Sequence, residues 1–407
     1  LAIAQGTHKN VALESLRGLA SVGVLIWHSL MAFFPGRTGI WVVSNHAWNT
    51  APWFGLINGA GWVTFFFVLS GYVLTRSALL AGDPAPVVRN MLKRWPRLAV
   101  PVLLAVLGSW ALFATGAYRY PEAGALAGSP WLVHGGGMRP PGPPDIWEAI
   151  LQGSVTTFFR GDHSYDSSLW TMQVEFLGSF IAFGMALLLL SLRQPAARLY
   201  LAAMLAGLCL NAPPFLMTFP AGVALAAFLP RRRGSGLPLP AALAMACAGI
   251  FLLGYTGVQA GAFRWVAALW PQAIRADGLN TVGAVLLVLA VEQSASLHIA
   301  LSHRWGAWLG RLSFPLYLVH VPVICSVGAA CYLGMHPDPG AWLPRLAACA
   351  IGAAVALAAA CPLMWANEWW VARLNRLASR KTRASCAARI RVTPRTPAGQ
   401  GPDPLLK

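Results

Sequence analysis

Charge is what this sequence has least of. Asp, Glu, Lys and Arg together make up 11% of its 407 residues, against roughly 25% in an ordinary soluble protein. A soluble domain of this size does not go without charge to that degree. Carboxylates are scarcer still, 13 against 30 Lys and Arg, and a proton-coupled carrier would want more of them within its spans. The seven cysteines are odd in number, form no C-x-x-C and fall mostly in apolar segments. They read as small buried hydrophobes rather than as a disulfide framework. Nine histidines include no H-x-x-x-H pair, and His298 and His303 lie five apart in a connection, so a metal centre finds no support. No internal repeat is visible, which weighs against an inverted-repeat transporter. The first apolar stretch carries Glu14 and Arg17 and lacks an A-x-A site, so it reads as a retained helix and not as a signal peptide.

What the chain does have is apolar length. Hydrophobic residues make up 57% of it, with 18 Trp, and mean hydropathy is +0.58. Apolar segments recur at about 17–25 residues, the length an α-helix needs to cross a bilayer. Ten spans are expected, at 11–34, 61–80, 97–116, 169–191, 196–211, 213–230, 238–255, 279–296, 312–334 and 342–367. The fold class is all-α, a polytopic transmembrane bundle of about ten helices. The fifth and sixth spans are short and meet at a tight turn, Asn211-Ala-Pro-Pro214. Residues 1–372 form the membrane domain and 373–407 a basic tail, amphipathic at first and then disordered. The connection 117–168 is Gly/Pro-rich, with an interfacial helix near 146–159, and a loop of that length is either functional or disordered.

The formal charge of +17 would suggest nucleic acid in a soluble protein, but position argues otherwise. With the N-terminus placed in the cytoplasm and the connections assigned alternately, 23 Lys and Arg fall inside. Only Arg37, Arg119, Arg139, Arg160, Arg264, Arg275 and Arg345 fall outside. That asymmetry follows the positive-inside rule. Both termini are expected in the cytoplasm and the connection 117–168 outside, in an inner (plasma) membrane. The positive charge needs membrane lipid for a partner and no nucleic acid.

Ionisable groups inside spans are costly to bury and usually tied to function. Arg17 and His28 stand eleven residues apart in the first span. At about 100° per residue they share one helix face, roughly 16 Å apart along the axis. His28 reads as a general base, a proton relay or a hydrogen-bonded core residue; Arg17 as a functional cation or a snorkelling anchor. Glu175, in Ser168-Leu-Trp-Thr-Met-Gln-Val-Glu175, lies at a depth comparable to His28. It could orient the imidazole by accepting its Nδ1–H, or pair with an Arg to hold the bundle together. Arg89, Lys93, Arg94 and Arg97 put four cations within nine residues. They suit a polyphosphate, although topology alone would place cations there. Asp162-His163 in the outer connection is a weaker catalytic candidate.

These residues resemble the acyltransferase family 3 of bacterial integral membrane O-acyltransferases. Leu13-Glu-Ser-Leu-Arg17-Gly-Leu-Ala with His28 is similar to the family's opening helix and its Arg-x10-His signature. Phe65-Phe-Phe-Val-Leu-Ser-Gly-Tyr72 resembles its second helix, and Arg94-Trp-Pro-Arg97 with Pro101 the basic entry to its third. Ser168 to Glu175 and Leu312-Ser-Phe-Pro-Leu-Tyr-Leu-Val-His320 resemble two later helices. Two positions depart from the pattern, Phe176-Leu-Gly-Ser and Val102, and bear on acceptor preference. The resemblance implies transfer of an acyl group, typically acetyl, from cytoplasmic acyl-CoA to a hydroxyl of a glycan or lipid-linked saccharide. Arg17, Arg94 and Arg97, with Lys93, would hold the donor. His28 would take the hydroxyl proton or carry the acyl group, and Glu175 would orient it. Trp170, Thr171 and Ser70 are candidates to steady the oxyanion. No metal is implied. The rival reading is a transporter or flippase of a glycan or lipid intermediate.

Overall fold

The computed structural model describes residues 10–140, 142–192, 194, 201, 215–216, 218–229, 236–269, 276–338 and 340–392, with backbone only at 267, 269 and 378–392. Among them there are helices and no strands. Nine principal helices are labelled here: α1 Val11–Phe33, α2 Gly59–Ala81, α3 Ala85–Ala114, α4 Trp170–Ser191, α5 Thr218–Phe228, α6 Leu239–Leu253, α7 Ala276–Gln293, α8 Arg304–Val323 and α9 Trp342–Val392.

Seven of these, with the turns that extend them, are long and apolar enough to cross a membrane. The expected count of ten is not confirmed. α5 and α6 occupy the expected sixth and seventh spans but have 11 and 15 residues. At 1.5 Å per residue neither reaches across a hydrocarbon core of about 30 Å. The expected span 196–211, apart from Leu201, and the turn at 211–214 lie outside the described residues. The boundary expected at 373 is not a break in the backbone: α9 runs 51 residues to Val392. No Gly or Pro interrupts it after Pro362, so nothing local stops the helix.

α1 starts on Asn10, whose side chain accepts from Leu13 N, with Glu14 at the positive end of the helix dipole. It packs chiefly on α8, and α2 packs on α1, α4, α5 and α7. The α1–α8 crossing is tight because glycines face it. A Cβ at Gly18 would come within 2.7 Å of the Leu309 carbonyl carbon, and one at Gly310 would strike Glu14 O. Small residues that let backbones approach are the means by which helices associate in lipid, where apolar burial alone gives no gain. α8 carries Pro315 and Pro322 and continues through a π-helical turn, Ile324–Gly328, into Ala329–Gly334. A proline removes a donor from the ladder, and a π turn is one way of re-satisfying the freed backbone.

The connection between α3 and α4 is folded. It carries Tyr120–Ala127, Pro130–Val133, Ile146–Leu151, a π turn Gln152–Thr156 and Thr157–Arg160, so the chain is helical where the interfacial helix is expected, near 146–159. Ser129 and Asp145 cap two of these pieces. Ser129 Oγ also donates to Met31 O at 2.6 Å, tying the connection to the last turns of α1.

Candidate active site

The cations meet at one end of a cavity of about 300 Å³ lined by α1, α2, α3, α4, α8 and Asn367 of α9. Arg17 reaches across the α1–α8 crossing, donating from Nε to Ser313 Oγ and from Nη2 to Gly310 O, each at 2.9 Å. Its Nη2 also lies 2.9 Å from Glu14. Arg94 is buried between α3 and α4, where its Nε donates to Ser179 Oγ at 2.9 Å and its Nη2 to Glu175 Oε1. Ser70 Oγ donates to the same oxygen at 2.6 Å. Arg97 is exposed toward the cavity. It has no hydrogen-bond or ion-pair partner among the described residues, yet stands in the field of Arg94, Arg17, Glu14 and Glu175. Arg17, Arg94, Arg97, Ser70, Thr171 and Glu175 therefore share one cavity wall. Lys93 sits in an adjoining recess of about 50 Å³ with Asn90, Arg94 and Arg97, its Nζ 3.1 Å from Asn375 Oδ1.

His28 lies elsewhere. It is partly exposed and does not line the cavity. The expected pairing of Glu175 with the imidazole is not formed, because Glu175 is engaged by Arg94 and Ser70. Instead His28 Nδ1 faces Val24 O at 3.1 Å and His320 Nε2 at 3.0 Å. His320 is 1% exposed, and its Nδ1 is 2.7 Å from Tyr317 O. The Tyr317 ring, 5.5 Å from that of His320, forms part of the cavity wall. The two histidines thus stand just beyond one aromatic side chain of the cavity. Trp131, from the folded connection, packs its ring 5.3 Å from that of His28. Close approach there requires glycine: a Cβ on Gly136, whose φ is +66°, would come within 2.8 Å of both Trp131 and Ser167.

Of the three residues expected to steady an oxyanion, Trp170 is 39% exposed, packs on Phe215 and is not on the cavity wall. Ser70 and Thr171 are on it, but their hydroxyls are engaged. Ser70 donates to Glu175, while Thr171 Oγ1 lies 3.0 Å from Ser168 O and 2.9 Å from Tyr317 Oη.

Asp162 and His163 do not hydrogen-bond to one another. His163 Nδ1 meets Gly161 O at 2.8 Å. Burial works against ionisation of Asp162, but hydrogen bonds from Ser164 and Thr156 outweigh it and hold the carboxyl below its ordinary range. The opposite holds at Asp166, which is fully buried. Its Oδ1 accepts from Ser168 N and Oγ, its Oδ2 has no partner among the described residues, and burial pushes the carboxyl up to about 7. His303 acts as a helix cap, its Nδ1 3.5 Å from Trp305 N at the start of α8.

Sequence reading missed His320 and Trp131 as members of this site. His320 had a signal, an imidazole in Leu-Val-His-Val-Pro within an apolar span. Trp131 had none, being one aromatic in a long connection.

Comparison with known proteins gives the family. No solved structure matches the chain. An O-acetyltransferase of Phomopsis amygdali, PaAT-1, is 25% identical over 385 residues, covering 79% of this chain and 74% of its own. The acyltransferase domain of acyltransferase family 3 matches residues 10–365, which takes in both histidines and every residue that lines the cavity except Asn367. The chain belongs to that family and is a multi-pass membrane O-acyltransferase.

Proposed function

We propose that the protein transfers an acyl group, acetyl in the first instance, from acyl-CoA to a hydroxyl of a glycan or lipid-linked saccharide. The observation that carries this reading is the one cavity wall shared by Arg17, Arg94 and Arg97, with His28 and His320 just beyond Tyr317. A cavity of about 300 Å³ suits an acyl-pantetheine arm rather than a whole acyl-CoA. The phosphates would stay at the rim, where Arg97 is unengaged and Lys93 stands nearby. Arg17 and Arg94, each held by neighbouring groups, give that end a fixed positive field.

Beyond Tyr317, His28 takes the proton of the acceptor hydroxyl on Nε2 as the oxygen attacks the thioester carbonyl. The tetrahedral intermediate collapses, the C–S bond breaks, and the thiolate leaves with the proton that His28 had taken. An acyl-His28 intermediate would divide the same transfer into two steps. Glu175 acts on Arg94 and not on the imidazole. The asymmetry of Lys and Arg supports a cytoplasmic Arg17 end, cytoplasmic termini and an acceptor on the far side of an inner (plasma) membrane.

The test is release of free CoA thiol from acetyl-CoA by the purified full chain in nanodiscs, with donor binding read on the same sample. Wild type should bind and release. His28→Ala should bind without release, and Arg97→Ala should raise the donor KM about tenfold, the order of one charge-assisted phosphate contact. Neither binding nor release by wild type would overturn the acyltransfer reading in favour of transport.

A further inference from the structure

We infer that His320 is a positioning residue that holds His28 in the tautomer with its lone pair on Nε2. The inference rests on the reading of His28 as the base and deepens it. His320 Nδ1 lies 2.7 Å from Tyr317 O. A carbonyl oxygen can only accept, so this nitrogen carries the proton. A neutral His320 then has its lone pair on Nε2, the atom 3.0 Å from His28 Nδ1. His28 Nδ1 faces a second acceptor, Val24 O, at 3.1 Å. With two acceptors before it, Nδ1 must bear the hydrogen, and the lone pair of His28 falls to Nε2. That atom has no hydrogen-bond partner among the described residues.

The reverse assignment sets lone pair against lone pair twice, at Tyr317 O and at Val24 O. Only one arrangement of protons satisfies all three contacts. It also survives the reaction: when His28 gains a proton on Nε2, Nδ1–H still points at His320 Nε2, and the imidazolium keeps an acceptor inside an apolar bundle. Neither neighbour can readily turn away. His320 is 1% exposed, and the His28 ring packs between those of Trp131 and His320, at 5.3 and 4.8 Å. The arrangement joins α1 to α8 at the level of the chemistry, as Arg17 joins them at the donor end. In a triad the acceptor behind a catalytic histidine does the same work, and losing the correct tautomer there costs up to about 10⁴ in kcat.

The variants to compare are His320→Leu, which removes the acceptor, and His320→Gln, whose amide offers N–H to Tyr317 O and a carbonyl to His28 Nδ1. In nanodiscs with acetyl-CoA, His320→Leu should lower kcat for thiol release about 10²-fold or more, with the donor KM within about twofold. His320→Gln should recover most of that loss, and thermal unfolding should show all three proteins folded. In parallel, ¹⁵N NMR of the imidazoles, assigned with His28→Ala, should show His28 protonated on Nδ1 in wild type and a mixed population in His320→Leu. Full activity in His320→Leu would overturn the inference, as would a folded His320→Gln no better than Leu, or a wild-type His28 protonated on Nε2. A wild type that neither binds nor turns over acetyl-CoA would instead remove the acyltransfer reading. The NMR result would still decide the tautomer.

Discussion

Arg94 and Glu175 form a buried ion pair beside the cavity. Their side chains are 7% and 16% exposed, so neither charge is well solvated and each depends on the other. Breaking such a pair from one side leaves an uncompensated buried charge, which costs about 3–5 kcal/mol. Arg94→Ala should therefore lower the thermal unfolding temperature strongly. Adding Glu175→Gln, which removes the stranded carboxylate, should recover most of that loss. A double variant as unstable as Arg94→Ala would mean that Glu175 is not what suffers. Sequence reading did name an Arg partner as one fate of Glu175, but could not choose it over His28. Both are compatible with depth along a helix, and depth does not say which way neighbouring helices turn their faces.

Asp166, at the turn that begins α4, makes that element sensitive to pH. Its Oδ1 caps the turn Ser167–Leu169 while burial raises the carboxyl to about 7. In an unfolded chain an aspartate titrates near 3.9. Between about pH 4 and about pH 7 the folded protein thus holds a proton that the unfolded chain has released. The stability tied to this proton is full below about pH 4 and is lost as pH rises through about 7. Asp166→Asn keeps an acceptor for Ser168 N and removes the titration. The fall in unfolding temperature between about pH 5 and about pH 8 should be smaller in that variant. An unchanged fall would assign the pH dependence to other groups. Sequence pattern did not single out Asp166: one carboxylate in a Gly/Pro-rich connection gives no sign of burial until the turn Ser167–Leu169 packs on α8.

For the whole molecule, the property to test is its direction across the membrane. The accumulation of Lys and Arg predicts an orientation, and cysteine labelling tests it directly. Val43, between α1 and α2, and Leu377, late in α9, are 97% and 47% exposed. In a cysteine-free background, Val43→Cys should react with a membrane-impermeant maleimide in intact cells, and Leu377→Cys only after permeabilisation. The reverse pattern would invert the protein and place the donor cations on the wrong side for cytoplasmic acyl-CoA.

Fold class and membrane residence were decided by composition, because continuous apolar runs long enough to cross hydrocarbon satisfy their backbone there only as helices, and the chain supplies such runs. The cation end of the cavity was legible too, since Arg94 and Arg97 lie close in sequence and a helix keeps such neighbours together. Arg17 and His28 share α1, so their common face was a matter of helical period. The count of spanning helices was less secure: α5 and α6 are apolar throughout, and hydropathy does not measure where a helix stops. The partners of His28 and Glu175 needed the tertiary structure. His28 and His320 are separated by most of the chain, and they meet because glycines let α1 and α8 close on one another. A contact across two helices depends on how each is rotated against its neighbour. Packing of the whole bundle settles that rotation, and no local pattern records it.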